Sequence, residues 1–483
     1  MSISKDFSKG SVSKNILKLA VPMTLAQLIN ILYNIVDRMY IGRIPNASSL
    51  ALTGVGITFP IITIIMAFAN LYGMGGAPLC SIERGKGNNE KAEEIMGNSF
   101  TLLLITGLIL TIVILIFKKP LLYLLGASDN TFSYANDYIT IYLLGSVFVM
   151  ISLGMNSFIN SQGFGRISMM TILVGAITNI ILDPIFIFLL HMDVKGAALA
   201  TIFSQFLSAI WVLRFLMSND AILKLKKAYF KINIIHFKNI ITLGLSGFIM
   251  SITNSIVQMV CNVTLQSYGG DLYVGVMTVL NSIREIVMMP VKGITSASQP
   301  VLGFNFGAKK YIRVKSAIKF SSIACIIYTT SIWFILMVFP QFFIKIFNNE
   351  ANLVALATHC MNIYFFGFFM MSLQMSAQST YVALGESKKA IFFSLLRKII
   401  VVVPLTILLP RLFNLSTNGV FLAEPISNFI GGIAAYSTMI LTVWKHLSIE
   451  IKKWLSPRSL REFNFKYSKR HRTNIGSMLY FAI

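Results

Sequence analysis

Residues 165–190 read GRISMMTILVGAITNIILDPIFIFLL, and residues 385–410 read GESKKAIFFSLLRKIIVVVPLTILLP. Each is an apolar run long enough to cross the ~30 Å hydrocarbon core of a bilayer as a helix. Each opens on a glycine and carries a proline at the same place, Pro184 in one and Pro404 in the other. A match of this kind, at an offset of about 220 residues, marks an internal repeat.

The next helices repeat too. KGAALATIFSQ pairs with NGVFLAEPISN, so that Gly196 meets Gly419, Ala200 meets Ala423 and Ser204 meets Ser427. Gly85 likewise falls opposite Gly307 in the stretches ERGKGNNEKA and NFGAKKYIRV. Composition agrees with a membrane protein. Of 483 residues, 55% are hydrophobic and 12% charged, about half the charged fraction of a soluble domain. This excludes a soluble enzyme, a disordered chain and a secreted disulfide scaffold. A β-barrel is excluded as well, because its strands alternate with period two.

Twelve helices are expected, at about 14–42, 49–80, 97–117, 134–158, 168–190, 195–217, 239–268, 274–303, 316–340, 354–384, 389–410 and 418–444. The fold class is therefore an all-α polytopic membrane protein with twelve transmembrane helices in two pseudo-symmetric six-helix bundles. The domain plan is an N-terminal lobe over 1–225, a C-terminal lobe over 226–444 and a basic cytoplasmic tail over 445–483, the tail beginning as an amphipathic, interfacial segment. The first apolar block is a span of the mature protein, not a cleavable signal.

The formal charge of +23, from 41 Lys and Arg against 18 Asp and Glu, follows the positive-inside rule. Most of the basic residues lie in the tails and even-numbered loops, which puts both termini in the cytoplasm and the chain in the plasma (inner) membrane. Nucleic-acid binding is not expected. Cys80, Cys261, Cys325 and Cys360 sit in apolar blocks without metal-ligand spacing and read as packing residues. The histidines show no ligand spacing and none is expected beside an acid, His191 and His236 being placed in loops.

Four acids lie well inside spans: Asp37, Asp183, Glu285 and Glu424. Burying such a group costs at least ~2.5–3.5 kcal/mol, which makes it a functional candidate. Asp37 lies about 8 Å, Asp183 about 10 Å and Thr201 about 9 Å below the outer ends of spans one, five and six, at 1.5 Å per residue. Asn179 precedes Asp183 by one helical turn and shares its face. Two carboxylates with amide and hydroxyl oxygens suit either a hard-cation cage for Na⁺ or a carboxyl pair that holds a proton. Pro184, next to Asp183, denies the carbonyl of Ile180 a donor and is a candidate gating bend. The second half lacks the set: Asp37 falls opposite Cys261, Asp183 opposite Val403 and Thr201 opposite Glu424. Glu285 and Glu424 are expected to attract a cationic substrate, with Arg284 pointing elsewhere on its helix.

Several stretches resemble the multidrug and toxic compound extrusion (MATE) transporters: LAVPMTLAQLINILYNIVDRMYIG at 19–42, GFGRISMMTILVGAITNIILDPIFIF at 163–188, VKGAALATIFSQ at 194–205 and MPVKGITSASQPVLGFNFGAKK at 289–310. The resemblance runs from about Lys14 to Lys445. It implies H⁺- or Na⁺-coupled antiport of cationic amphipathic drugs by alternating access between two lobes. It also implies that Asp37, Asn179, Asp183 and Thr201 form the cation site. One branch of the family carries further acids in spans seven and ten. Here those spans carry no acid, only Asn254, Gln258 and Gln374 as polar candidates, so the chain is more similar to the branch that relies on the N-lobe site, although Glu285 in span eight departs from it.

No cofactor and no obligate protein partner are expected beyond the coupling ion, small-molecule drugs and membrane lipid. The alternative reading is a flippase or exporter of a lipid-linked or sugar-containing precursor, which calls for a cationic cavity; Arg284, Lys292 and Arg397 favour it and the intramembrane acids oppose it. A membrane-embedded enzyme needs a nucleophile, metal or acid–base cluster, and the sequence presents none and no phosphate-binding loop. A channel fits less well, because the two halves carry unlike polar groups.

Overall fold

The computed structural model describes residues 6–44, 48–347, 350–412 and 415–454. The regular elements among them are all helices. Two compact units divide the chain at Tyr436 and Ser437. Within the second unit, Lys445–Trp454 forms a helix with an ion pair between Lys453 and Glu450 at 2.8 Å. The remainder of the expected basic tail, 455–483, lies outside the described residues.

The spans appear where the apolar blocks put them. Helices run Val12–Ile41, Ser48–Gly85, Asn89–Leu124, Gly165–Leu189, Asp193–Met217, Tyr311–Val338 and Ser387–Arg411. Most are longer than the blocks that announce them. Hydropathy marks only the turns at hydrocarbon depth, whereas the helix continues into water wherever a cap allows. Asn88, for example, caps the third span by accepting a hydrogen bond from the Lys91 amide at 3.2 Å.

Four spans differ from simple rods. Span four is two helices, Asp129–Leu144 and Ser146–Ser161, bent by 56°, and span ten is Ala351–Tyr364 followed by Phe368–Ala383, bent by 46°. Spans seven and eight form one helical run, Ile234–Gly307, passing through Gly270 at φ +70°. A residue with a Cβ is strained there, and glycine is not. Because this run begins at Ile234, capped by the Asn233 side chain, His236 is helical and buried rather than in a loop. Its Nε2 lies 3.0 Å from Glu94 Oε2. The expectation that no histidine stands beside an acid is corrected accordingly: the acid comes from span three, far away in sequence.

The repeat is visible in the packing. A Cβ on Gly196 would lie 2.7 Å from the Phe186 carbonyl carbon, and one on Gly419 would lie 2.6 Å from that of Leu409. In each half, a glycine near the start of an even span lets its backbone touch the end of the span before. The large buried apolar side chains gather into two clusters, one between Ile41 and Ile240 and one between Val257 and Phe421. The four cysteines are buried and free, as packing residues should be.

Candidate functional site

Span five turns one face toward spans one and six. On that face stand Asn179 and Asp183, one turn apart and both almost fully buried. The Asn179 amide nitrogen donates to Asp183 Oδ1 at 3.2 Å and to Thr201 Oγ1, on span six, at 3.5 Å. With both donor directions used in this way, the amide oxygen must point elsewhere. It is buried and has no hydrogen-bond partner in the protein.

Span one brings Asp37 to the same place. Its carboxyl is within hydrogen-bonding reach of the Asp183 carboxyl. Two carboxylates cannot bond to each other directly; a proton or a cation has to lie between them. Asp37 Oδ1 and Asp183 Oδ2 are also buried without a donor. Three acceptor oxygens from spans one and five are therefore buried without a donor. An unsatisfied polar atom at membrane depth is costly, several kcal/mol in round terms (~2–7). An oxygen set of this composition matches what a hard monovalent cation or a proton requires. The structure thus brings together Asp37, Asn179, Asp183 and Thr201, the four residues expected to meet there.

A cavity of about 130 Å³ opens onto this group, bounded by Asp37 and Thr201 and also by Asn30, Tyr33, Asn34, Tyr138 and Tyr142. Sequence reasoning did not single out these last five. The signal was present for three of them: Asn30, Tyr33 and Asn34 precede Asp37 by seven, four and three residues and so share its face of span one. Tyr138 and Tyr142 are likewise one turn apart on span four, but nothing local says that this face turns toward Asp37. Pro184 lies where the α-helix of span five gives way to a wider turn over Ile185–Leu189, so the helical hydrogen-bond register changes immediately after Asp183.

The other two acids are placed differently. Glu424, on span twelve, is buried and surrounded by base: Arg397 Nη2 at 2.9 Å, Arg284 Nη1 at 3.1 Å and Lys398 Nζ at 3.3 Å from the same carboxylate oxygen. Arg397 also donates to Gln374 Oε1 and Asn428 Oδ1, both at 3.0 Å. Glu285 pairs with Lys292 at 2.9 Å in a more exposed setting. Arg284 does turn away from its neighbour Glu285, toward Glu424. Lys398 was overlooked because it sits in a span among apolar residues, with nothing in the local pattern to name a partner on span twelve.

A model of the MatE family matches residues 22–185 and 247–408, well over half of the chain. The multidrug export protein MepA of Staphylococcus haemolyticus is 26% identical over 451 residues, covering 92% of this chain and 98% of that protein. MepA of Staphylococcus aureus (strain MSSA476) is 26% identical over 436 residues, covering 89% and 94%. Among solved structures, a multidrug resistance MATE family transporter of the MOP superfamily in its outward-facing conformation superposes with a TM-score of 0.86 at 22% identity, covering 94% of this chain and 99% of that one. A MATE structure in the bent conformation reaches 0.87 at 21% identity, covering 94% and 100%. At these identities the structures establish the shared fold, twelve transmembrane helices in two six-helix bundles. The family match establishes the rest: the chain belongs to the MATE family, multi-pass membrane transporters that export small molecules and are not enzymes.

Proposed function

We propose that this chain is a cation-coupled antiporter, driven by H⁺ or Na⁺, that exports amphipathic drugs by alternating access between an N-terminal lobe, 1–225, and a C-terminal lobe, 226–444. The observation that carries the reading is the burial of Asp37 Oδ1, Asn179 Oδ1 and Asp183 Oδ2, three acceptors without a donor on side chains that the fold brings together. Thr201 supports the set by accepting the second hydrogen bond of the Asn179 amide. A cation or proton arriving there offsets both the carboxylate repulsion and the cost of unsatisfied oxygen.

Pro184 supplies the link to movement in this reading. It follows Asp183 directly, where the helix already departs from α geometry, so a charge change at Asp183 is transmitted to a weakened turn. The cavity beneath Asp37 is the route by which cargo and ion meet in the N-terminal half. The related staphylococcal proteins are named multidrug export proteins, which supports a broad small-molecule cargo. Glu285 and Glu424 enter this reading as counter-charges of Lys292 and of the Arg284, Arg397 and Lys398 group rather than as naked acids. Both termini are assigned to the cytoplasm of the inner membrane on the distribution of Lys and Arg.

The test is ethidium efflux from proteoliposomes under a Na⁺ gradient and a pH gradient imposed separately. Efflux that follows one gradient identifies the coupling ion. Efflux that follows neither, from correctly inserted protein, overturns the coupled mechanism.

A further inference from the structure

The C-terminal half holds charge that the N-terminal cation site does not explain. Arg284 on span eight, Arg397 and Lys398 on span eleven and Lys292 one helical face along from Arg284 all border one cavity of about 100 Å³. The acids within reach are Glu424, shared by Arg284, Arg397 and Lys398, and Glu285, held by Lys292. Four bases against two carboxylates leave two positive charges without a counter-ion. Arg397 and Lys398 are only 2% and 6% exposed, so water does little to offset that excess.

The cavity also has donors and an apolar wall. Arg397 Nε is buried without a partner, although the same guanidinium binds Glu424, Gln374 and Asn428 through its other nitrogens. Ser394 Oγ, also on span eleven, is buried and unpartnered. Met250, Met288, Met371 and Met375 line the same cavity. Methionine is unbranched and polarizable and accommodates apolar bodies of varied shape. An acid placed here attracts a cation only if it is unpaired, and neither acid is.

We infer that this cavity is an anion-recognising cargo subsite, taking the carboxylate or phosphate of an amphipathic molecule at Arg284, Arg397 and Lys398 and its apolar body against the four methionines. The anion stands in the position of the missing counter-charge, and guanidinium groups bind planar carboxylates and phosphates through paired donors. The inference deepens the export reading by naming a feature of the cargo. It rests on that reading only for the claim that the bound molecule is carried.

The test measures binding, not transport, so its outcome is independent of ion coupling. The full-length protein in phosphatidylcholine nanodiscs is titrated by fluorescence anisotropy with rhodamine B, which carries a free carboxylate, and with its methyl ester, which does not. The acid should bind about tenfold more tightly than the ester. Lys398→Gln, which removes one base, should bring the two dyes toward parity, whereas Glu424→Gln, which removes the counter-charge, should widen the gap. Structural damage moves both variants in the same direction, so opposite shifts identify charge. The wild-type comparison and the more exposed Lys292→Gln variant decide the matter even if Glu424→Gln does not fold. Equal affinity for acid and ester in the wild-type protein, or a shift of the same sign in both variants, overturns the proposal. Displacement of the acid by added phosphatidylglycerol assigns the site to a lipid headgroup; retention assigns it to a soluble cargo.

Discussion

The Asn179 amide nitrogen reaches both Asp183 Oδ1, at 3.2 Å, and Thr201 Oγ1, at 3.5 Å. One side chain therefore ties span five to span six, and its own oxygen stays buried without a hydrogen-bond partner in the protein. In the proposed site Asn179 is both a ligand and a spacer, and this sets what each substitution should do.

Asp37→Asn and Asp183→Asn each remove one charge while keeping the side-chain volume. Ethidium efflux driven by the coupling gradient should fall to the level of protein-free liposomes in both. Membrane-inserted protein recovered by size-exclusion chromatography should stay near the wild-type amount, because no buried base loses its partner. Full efflux in both variants overturns the N-terminal site.

Asn179→Ala keeps the carboxyl pair and removes the amide. The expected result is a weaker ion site, not a dead transporter. Losing one oxygen ligand and one charge-assisted hydrogen bond costs about 1.5–3 kcal/mol. The ion concentration for half-maximal efflux should therefore rise by at least about tenfold, with a smaller change in the maximal rate. An unchanged ion dependence removes Asn179 from the site.

Gly85 and Gly307 sit against each other's helices. A Cβ on Gly85 would lie 2.0 Å from the Phe304 carbonyl oxygen, and one on Gly307 would lie 2.0 Å from that of Ile82. Gly85→Ala or Gly307→Ala should force spans two and eight apart at this end. A destabilisation of the closed arrangement by about 1 kcal/mol is a fivefold change in population. A cysteine introduced at Gln299, which lines the cavity between these spans, should then react with an impermeant thiol reagent about fivefold faster. Labelling at the wild-type rate shows that the contact does not control access.

Arg397 and Lys292 contrast two kinds of ion pair. Arg397 is buried with hydrogen bonds to Glu424, Gln374 and Asn428. Lys292 and Glu285 keep 40% and 58% of their side chains exposed. Arg397→Met should cost about 3–5 kcal/mol, because polar partners are left buried without a donor. Lys292→Met should cost less than about 1 kcal/mol. Thermal midpoints of the two variants in the same detergent compare them directly, and an equal loss would mean that burial does not set the strength of these pairs.

Much of the architecture was legible in the chain before any coordinates. Apolar runs report the solvent they were selected for, so twelve spans and their repeat follow from hydropathy and matched glycines. Gly196 and Gly419 illustrate this: their alignment in the sequence becomes the same backbone contact in each half. The meeting of Asp37, Asn179, Asp183 and Thr201 was legible for a similar reason. A polar group in an apolar span is conspicuous, and equal depth on neighbouring helices narrows where it can go.

What the tertiary structure alone decided was pairing across helices. Depth places Glu424 within the membrane but does not reveal that Arg284, Arg397 and Lys398 reach it from spans eight and eleven. His236 lacks any nearby acid in sequence and meets Glu94 only because span three packs beside it. The bends of spans four and ten also escape hydropathy, which averages over turns and is blind to direction. Local composition determines which segments leave water, because that depends on each segment's own surface. Which charge neutralises which depends on how helices rotate and pack against one another, and only the folded bundle fixes that.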